Sequence, residues 1–296
     1  MKMRLFTLCW GQPYTDWFEH ALVASLMWRG NLDAVRAHAS EWNIYTRTDD
    51  DRARLRAIAE PVGVPMQFHP FDMKNSSGET LQPCLFDHMR NCLQDGSAMF
   101  VAPPDTIFGN GTIAAICDVG RLPGICVAVP HVRVNAGALP ALAGREWSNS
   151  ELVDFAWQNL HRTWSDADAR LGNTNSYLGG VSWHQLRKGL YAVTHRLPTC
   201  YLANIDASDV EWFSRQWETG TWDHTWPAKI VKDGQRQRVI ASSDAAFIAE
   251  LTRENDNIPV CQPTNPNEPD KFWRDLEHNY VNRNTVAIFR GASAGV

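Results

Sequence analysis

Ala98 to Ala102 is a short, wholly apolar run, preceded by Asp95-Gly96 and followed at once by Pro103-Pro104-Asp105. Such a run reads as a strand buried on both faces. Neither proline can donate to a sheet ladder, so the strand must stop. Asp105 then falls just past its carboxyl end, where open α/β sheets bind their ligands. Gly109, Gly111 and Thr112 lead into a helix over residues 113–119, with Thr112 or Asn110 as its cap. A carboxylate between a strand end and a helix start either holds a hard divalent ion that grips phosphate oxygens or caps a turn.

The surrounding chain repeats the alternation of short apolar strands with helices. Met3 to Cys9 reads as a first strand, followed by a helix with Pro13 in its first turn and Trp17, Phe18, Ala21, Leu22, Ser25 and Leu26 at helical spacing, ended by Gly30. Trp42 to Tyr45 and Met66 to Phe68 are the next strands, separated by a helix that Thr48 or Asp49 caps. Cys84 to Leu93 is helical, and Gly124 to Val129 is a further strand. This is the pattern of crossover connections and a largely parallel sheet, a Rossmann-like half over residues 1–135. Residues 136–296 are expected to form a second half on the acceptor side, continuous with the first in one domain, the simplest arrangement for a chain of 296 residues. There Ser148 and Glu151 make a capping box, residues 189–195 and 201–205 read as strands, and residues 239–250 read as a strand, a turn at Ser242-Ser243-Asp244 and a helix. Residues 258–270, with four prolines, read as a surface loop before a last helix near residues 272–280.

Composition narrows the classes. Apolar residues at 44% suffice for a core, and a net charge of -5 carries no basic tail or stripe that announces nucleic acid. Seven cysteines without a CxxC pair read as reduced core thiols, and no segment has membrane-spanning length, so a soluble, cytoplasmic protein is expected. Most of the thirteen tryptophans read as packing residues, although sugar-binding surfaces also use such rings.

Taken together, the nucleotide-binding half, the lone strand-end carboxylate and the aromatic cluster Gly220-Thr-Trp-Asp-His-Thr-Trp-Pro227 resemble a glycosyltransferase of the GT-A fold. The resemblance runs over most of residues 1–250 by order of elements. It implies an α/β fold, a Rossmann-like GT-A type mixed sheet flanked by helices with a C-terminal acceptor-side region. In that family a DxD motif ends a strand and binds a metal–diphosphate pair; Ala102-Pro103-Pro104-Asp105 keeps only the last carboxylate. The resemblance therefore places a divalent metal, Mn2+ or Mg2+, on Asp105, and either His224 or Asp223 completes the site or the enzyme works with little metal dependence; His224 as a hydrogen-bonded core residue is the alternative. By the same resemblance Thr7, Trp10, Gly11 and Tyr14, after the first strand, and Thr46 and Arg47, after the second, hold the nucleotide. Asn175, Gly179, Gly180 and Trp183 lie under the donor sugar and lead to the acceptor.

Glycosyl transfer needs the charge on the leaving diphosphate stabilised and the acceptor hydroxyl aligned. An inverting enzyme also needs a carboxylate base, for which Asp244, Asp223 and Asp206 are candidates, Asp244 alternatively capping the helix after it. The expected donor is a nucleotide sugar, a UDP-sugar, and the acceptor a glycan, a lipid-linked sugar, a protein or a hydroxylated base of DNA. The last would need a basic channel from Arg133, Arg145, Arg162, Arg187, Lys188 and Arg196. Two other readings are a nucleotidyltransferase that makes a sugar nucleotide and a non-enzymatic, tryptophan-lined carbohydrate-binding protein. The first normally has a glycine-rich, basic phosphate loop after strand one, where Cys9-Trp10-Gly11-Gln12-Pro13 has one glycine and no lysine.

Overall fold

A computed structural model of the protein describes residues 1–73, 77–168, 181–195, 199–214, 234–255 and 285–294. In chain order the strands are β1 (Met3–Leu8), β2 (Ala39–Thr46), β3 (Met66–Pro70), β4 (Ala98–Val101), β5 (Thr106–Phe108), β6 (Cys126–Val129), β7 (His131–Asn135), β8 (Ser182–Arg187), β9 (Leu190–His195), β10 (Thr199–Ala203), β11 (Gln237–Val239), β12 (Ile248–Thr252) and β13 (Thr285–Arg290). The helices are α1 (Tyr14–Trp17), which continues through a π-helical stretch into α2 (Ala24–Leu26), then α3 (Arg29–His38), α4 (Asp49–Ala59), α5 (Ser77–Asp95), α6 (Thr112–Gly120), α7 (Asn149–Gln158), α8 (Arg162–Ser165) and α9 (Ala207–Ser214).

Seven strands form the main sheet in the order β11-β6-β10-β4-β1-β2-β3. β1, β2, β3 and β4 pair in parallel, β11 pairs in parallel with β6, and β10 alone runs against its neighbours β4 and β6. The sheet is apolar on both faces because each face is covered. Leu5, Trp42, Ile44, Phe100 and Val127 meet Leu22 of the π-helical stretch and Val35, Leu55, Ile113 and Ile116 of α3, α4 and α6. On the other face Phe6, Leu8, Tyr45, Met99 and Val101 meet Leu85, Met89 and Cys92 of α5 and Phe213 of α9. Burying each of these large side chains contributes about 1.5–3 kcal/mol, so the layered core is the main source of stability. The observed mixed sheet with helices on both faces agrees with the expected GT-A type architecture. Two three-stranded sheets, β5-β12-β7 and β13-β9-β8, surround a further core with Trp147, Trp164, Trp183 and Phe289. The halves interleave, since β10 and β11 lie within the main sheet and β5 lies outside it.

Three local expectations change. Gly30 does not end a helix; it is the second residue of α3, and its missing side chain lets Asn110 approach, with Gly30 N donating to Asn110 Oδ1 at 2.8 Å and a Cβ at that position meeting the same atom at 2.8 Å. The segment after Ser242-Ser243-Asp244 is the strand β12 rather than a helix. Ile248, Ala249, Leu251 and Thr252 are all buried, leaving no polar face for a surface helix, and β12 pairs on both edges, with β5 and β7. Finally, β5 intervenes between Asp105 and the glycines, and α6 is capped from a distance: Asn31 Oδ1 accepts from Ile113 N at 3.0 Å, while the residue before α6 is Gly111 at φ +88°. The caps expected at Thr48 and Ser148 are present, each side chain accepting a backbone N–H of its helix.

Asn31 is fully buried and its amide also donates to the carbonyls of Ser25, Phe108 and Gly109 at 3.0, 3.0 and 3.1 Å. Replacing Asn31 by Ala leaves those groups unpaired in the core and is expected to lower stability by about 2–4 kcal/mol. Urea unfolding checks this, and a loss well under 1 kcal/mol would show that water replaces the side chain.

Candidate active site

Strand order reverses between β1 and β4. The crossings from β1 to β2 and from β2 to β3 lie on the α3 and α4 face, whereas β3 reaches β4 over the opposite face through α5. Such a reversal opens a crevice at the carboxyl ends of the strands. Its walls are fixed by backbone pairing beyond the strands: Ala102 N donates to Phe6 O at 2.9 Å, and Cys9 N to Tyr45 O at 2.9 Å. Alternation along β1 turns Thr7 inward, where its hydroxyl donates to Ala102 O at 2.7 Å and accepts from Trp42 Nε1 at 2.9 Å. Thr7, expected to touch the nucleotide, is fully buried and bolts β4 to β1 beneath the crevice.

Asp105 stands where the prolines put it, half-buried past the end of β4. Its carbonyl accepts from Leu251 N at 2.8 Å, so the end of β12 lies beside it. Its charge is felt on two sides. The Cys9 thiol is held protonated by burial first, then by Asp51 and Asp105; the Tyr201 phenol is raised by burial first, then by Glu250 and Asp105.

On the β1 side Trp10 stacks on Tyr14, centroids 5.2 Å apart and 28° between planes, and Tyr14 meets Trp17 edge-on at 5.3 Å. Gly11, exposed at φ +60° with nothing near its would-be Cβ, makes the turn between Trp10 and α1. Arg253, the residue after β12, brings its guanidinium 5.8 Å from the Tyr14 ring centroid and 5.7 Å from that of Trp17. Its carbonyl accepts from His161 Nε2 at 3.0 Å. The His161 Nδ1 accepts from Thr163 N, which assigns the proton to Nε2. Asp105, Trp10, Tyr14 and Arg253 thus border one crevice.

The other anticipated residues fall elsewhere or beyond description. Thr46 is buried and Arg47 exposed at the end of β2. Trp183 is a core residue of β8, its indole donating to Trp164 O at 2.7 Å, so its ring packs against protein. Asp244 is exposed before the start of β12, 3.8 Å from Arg290, while Asp105 lies beside the other end of that strand. Asp206 follows the antiparallel β10 and so sits at the amino edge of the parallel strands, paired with Arg236 at 2.8 Å. Asn175, Gly179, Gly180, Asp223 and His224 lie outside the described residues. Among the described residues no three His, Cys, Asp or Glu side chains gather to hold a metal, so these residues do not by themselves fit a divalent ion.

A polar network behind Asp105 escaped sequence reading. Arg133 Nη2 pairs with Glu250 Oε1 at 2.9 Å, His131 Nε2 lies 3.1 Å from Glu250 Oε2, and Thr199 Oγ1 lies 3.2 Å from His131 Nδ1. Register makes the first pair, since Glu250 and Arg133 are partners across β12 and β7. Arg133 is therefore a buried strut and no part of a basic channel. The alternation of His131 and Arg133 with Val132 and Val134 was the available signal. Nothing in it names Glu250 as the partner.

No family model and no curated protein matches the chain. Among solved structures, 4-diphosphocytidyl-2C-methyl-D-erythritol synthase from Anaerococcus prevotii matches with a TM-score of 0.32 and 11% identity over 44% of this chain and 55% of that one. Mouse xyloside xylosyltransferase 1 matches with a TM-score of 0.31 and 10% identity over 44% and 53% respectively. Mannose-1-phosphate geranyltransferase from Thermus thermophilus matches with a TM-score of 0.31 and 11% identity over 86% and 75%. In the first two the match spans about half the length of the other protein.

Burial, then Arg133, pushes the His131 pKa down to about 3, against an ordinary value near 6.5. A depressed pKa means that the folded state refuses a proton the unfolded state accepts, so this residue's effect appears as stability lost when pH falls below about 6.5. The His131 ring resonances are expected not to titrate between pH 5 and 8. An NMR midpoint near 6.5 would show that water reaches the network.

Proposed function

We propose that the protein is a transferase acting on a nucleotide sugar, and that it moves the sugar to a hydroxyl acceptor. The observation that carries this reading is the convergence of a carboxylate, an aromatic stack and a guanidinium on the crevice where strand order reverses. Trp10 and Tyr14 offer ring faces along which the nucleotide can lie. Arg253 is held at its backbone by His161 and supplies fixed positive charge for the leaving diphosphate; a planar guanidinium suits phosphate oxygens. Charge placed in advance where charge develops lowers the barrier most effectively.

Asp105 is the residue proposed to govern the phosphate end. A Mn2+ or Mg2+ ion there would be held by Asp105 with His224 or Asp223 and would act as a Lewis acid on the diphosphate. Acceptor alignment is assigned to Asn175, Gly179 and Gly180 and the base to Asp223, as the resemblance implies. The acceptor hydroxyl belongs to a glycan, a lipid-linked sugar or a hydroxylated DNA base. No helix among the described residues is long and apolar enough to cross a membrane. Against a tryptophan-lined binding protein stands the burial of Trp17, Trp28, Trp42, Trp147, Trp164 and Trp183, whose rings lie in the core. Nucleotidyl transfer is the second reading, and the loop from Cys9 to Pro13, without a lysine, is the feature that ranks it lower.

A panel of sugar nucleotides, assayed for transfer and hydrolysis with and without manganese, tests the reading. Asp105→Asn is expected to fold normally and lose about a hundred- to a thousandfold in kcat/KM, the size of one preorganised electrostatic contact. Wild-type turnover in that variant would refute the assignment. Arg253→Ala should lose a comparable factor and Arg253→Lys should recover part of it, because charge survives while the planar fork does not. Equal losses in both variants, together with a lowered Tm, would make Arg253 a packing residue.

A further inference from the structure

Beside the Trp10–Tyr14 stack lies a cavity of about 350 Å³, at the lower end of small-molecule sites. Tyr45, His69, Pro70, Phe71, Asp72, Thr80, Pro83, Cys84 and Asp87 line it, at the carboxyl ends of β2 and β3 and against α5. It adjoins the crevice, because Phe71 meets the Trp10 ring edge-on at 5.5 Å and Tyr45 O is the acceptor of Cys9 N.

The cavity's polar groups are biased toward acceptors. Tyr45 donates its only hydroxyl proton to Asp87 Oδ2 at 3.0 Å, so its phenol oxygen has lone pairs left but no hydrogen. The His69 ring stacks on Tyr45 with centroids 4.6 Å apart and 22° between planes. Its Nε2 lies 2.7 Å from Asn43 Oδ1, and the Asn43 amide donates to Glu41 Oε1 at 3.0 Å, which fixes the oxygen toward the histidine. Nε2 therefore carries the proton. Burial, the largest influence, lowers the His69 pKa, so the neutral ring keeps Nδ1 as an acceptor. Asp72 and Asp87 add carboxylate oxygens. Phosphate would be repelled here, and a flat ring presenting N–H groups would be welcomed.

Resting on the nucleotide-sugar reading above, we propose that this pocket takes the base of the donor and selects one with an exocyclic amino group, adenine, cytosine or guanine, over uracil and thymine. An amino group offers hydrogens to the carboxylates. The N3–H of uracil lies between two carbonyls, whose oxygens would face Asp72 and Asp87. The UDP-sugar expected from the resemblance gives way to a donor of another nucleotide.

Calorimetric titration of the full chain with ADP, CDP, GDP and UDP tests this. The tightest ligand should carry an amino group and exceed UDP by about tenfold, the worth of one charge-assisted hydrogen bond. Asp87→Asn still accepts from Tyr45 but presents N–H2, so it should shrink or invert the preference. Asp72→Asn, at an exposed position, carries the same test if the first variant is unstable. UDP binding tightest, equal weakening of all four nucleotides in the variants, or no binding at millimolar concentration would each overturn the proposal. Amino-base preference without any sugar transfer would leave the pocket standing and remove the glycosyl-transfer reading. Transfer from UDP-sugars as readily as from the others would do the reverse.

Discussion

The geometry of the crevice depends on how the chain leaves the sheet after β4. Two prolines forbid another ladder bond, so Ala102 is the last residue paired to β1, through its N–H to Phe6 O. Its carbonyl would then be a buried acceptor without a strand partner. The Thr7 hydroxyl donates to that carbonyl and accepts a hydrogen bond from the Trp42 indole N–H, tying β4, β1 and β2 together beneath the site. Everything above this clasp is displaced from the sheet: Asp105, then β5, which pairs with β12 instead. A hydroxyl at position 7 serves the site by rigidity without touching its contents.

The second joint lies where the two cores meet. The α1–α2 segment sends Trp17 and Ala21 into the outer core and Phe18, Leu22 and Leu26 into the main one. Asn31 then satisfies carbonyls at the end of that segment and of β5 while capping α6. Because one buried amide serves three elements, β5 and β12 are held in register with the helix that carries Tyr14. Arg253 consequently meets Tyr14 and Trp17 at a distance determined by packing rather than by loop freedom.

What could be read from residues alone was whatever is local. Pro103-Pro104 stops a strand wherever it occurs, Thr48 and Ser148 cap because their neighbours are helix starts, and the apolar run at β1 has no other use. The segment Ala245-Ala246-Phe247-Ile248-Ala249-Glu250 suits a helix by propensity, and only edge partners on both sides make β12 a strand. Gly30 misleads for a related reason. A glycine near a helix end signals a stop, whereas here it signals the approach of Asn110. Arg253, Glu250 and the clasp role of Thr7 depend on register across strands far apart in sequence, which no spacing announces.

The two ends of the crevice differ in charge, and that difference bears on how a nucleotide could lie in it. The pocket at β2 and β3 is lined with acceptors: Asp72, Asp87, the Tyr45 oxygen and a neutral His69. At the other end stands a guanidinium, Arg253, beside the turn that presents Asp105. A diphosphate placed in the pocket would face carboxylates with no guanidinium or ammonium among the lining residues, whereas an amino-bearing base there would be matched. Reversing the molecule therefore costs interactions at both ends. The aromatic pair Trp10 and Tyr14, between them, distinguishes neither polarity and contributes ring surface only. The proposed orientation, base toward α5 and phosphates toward Asp105, follows from this asymmetry, and it directs the sugar to the side of the sheet where β12 and the second half of the chain begin.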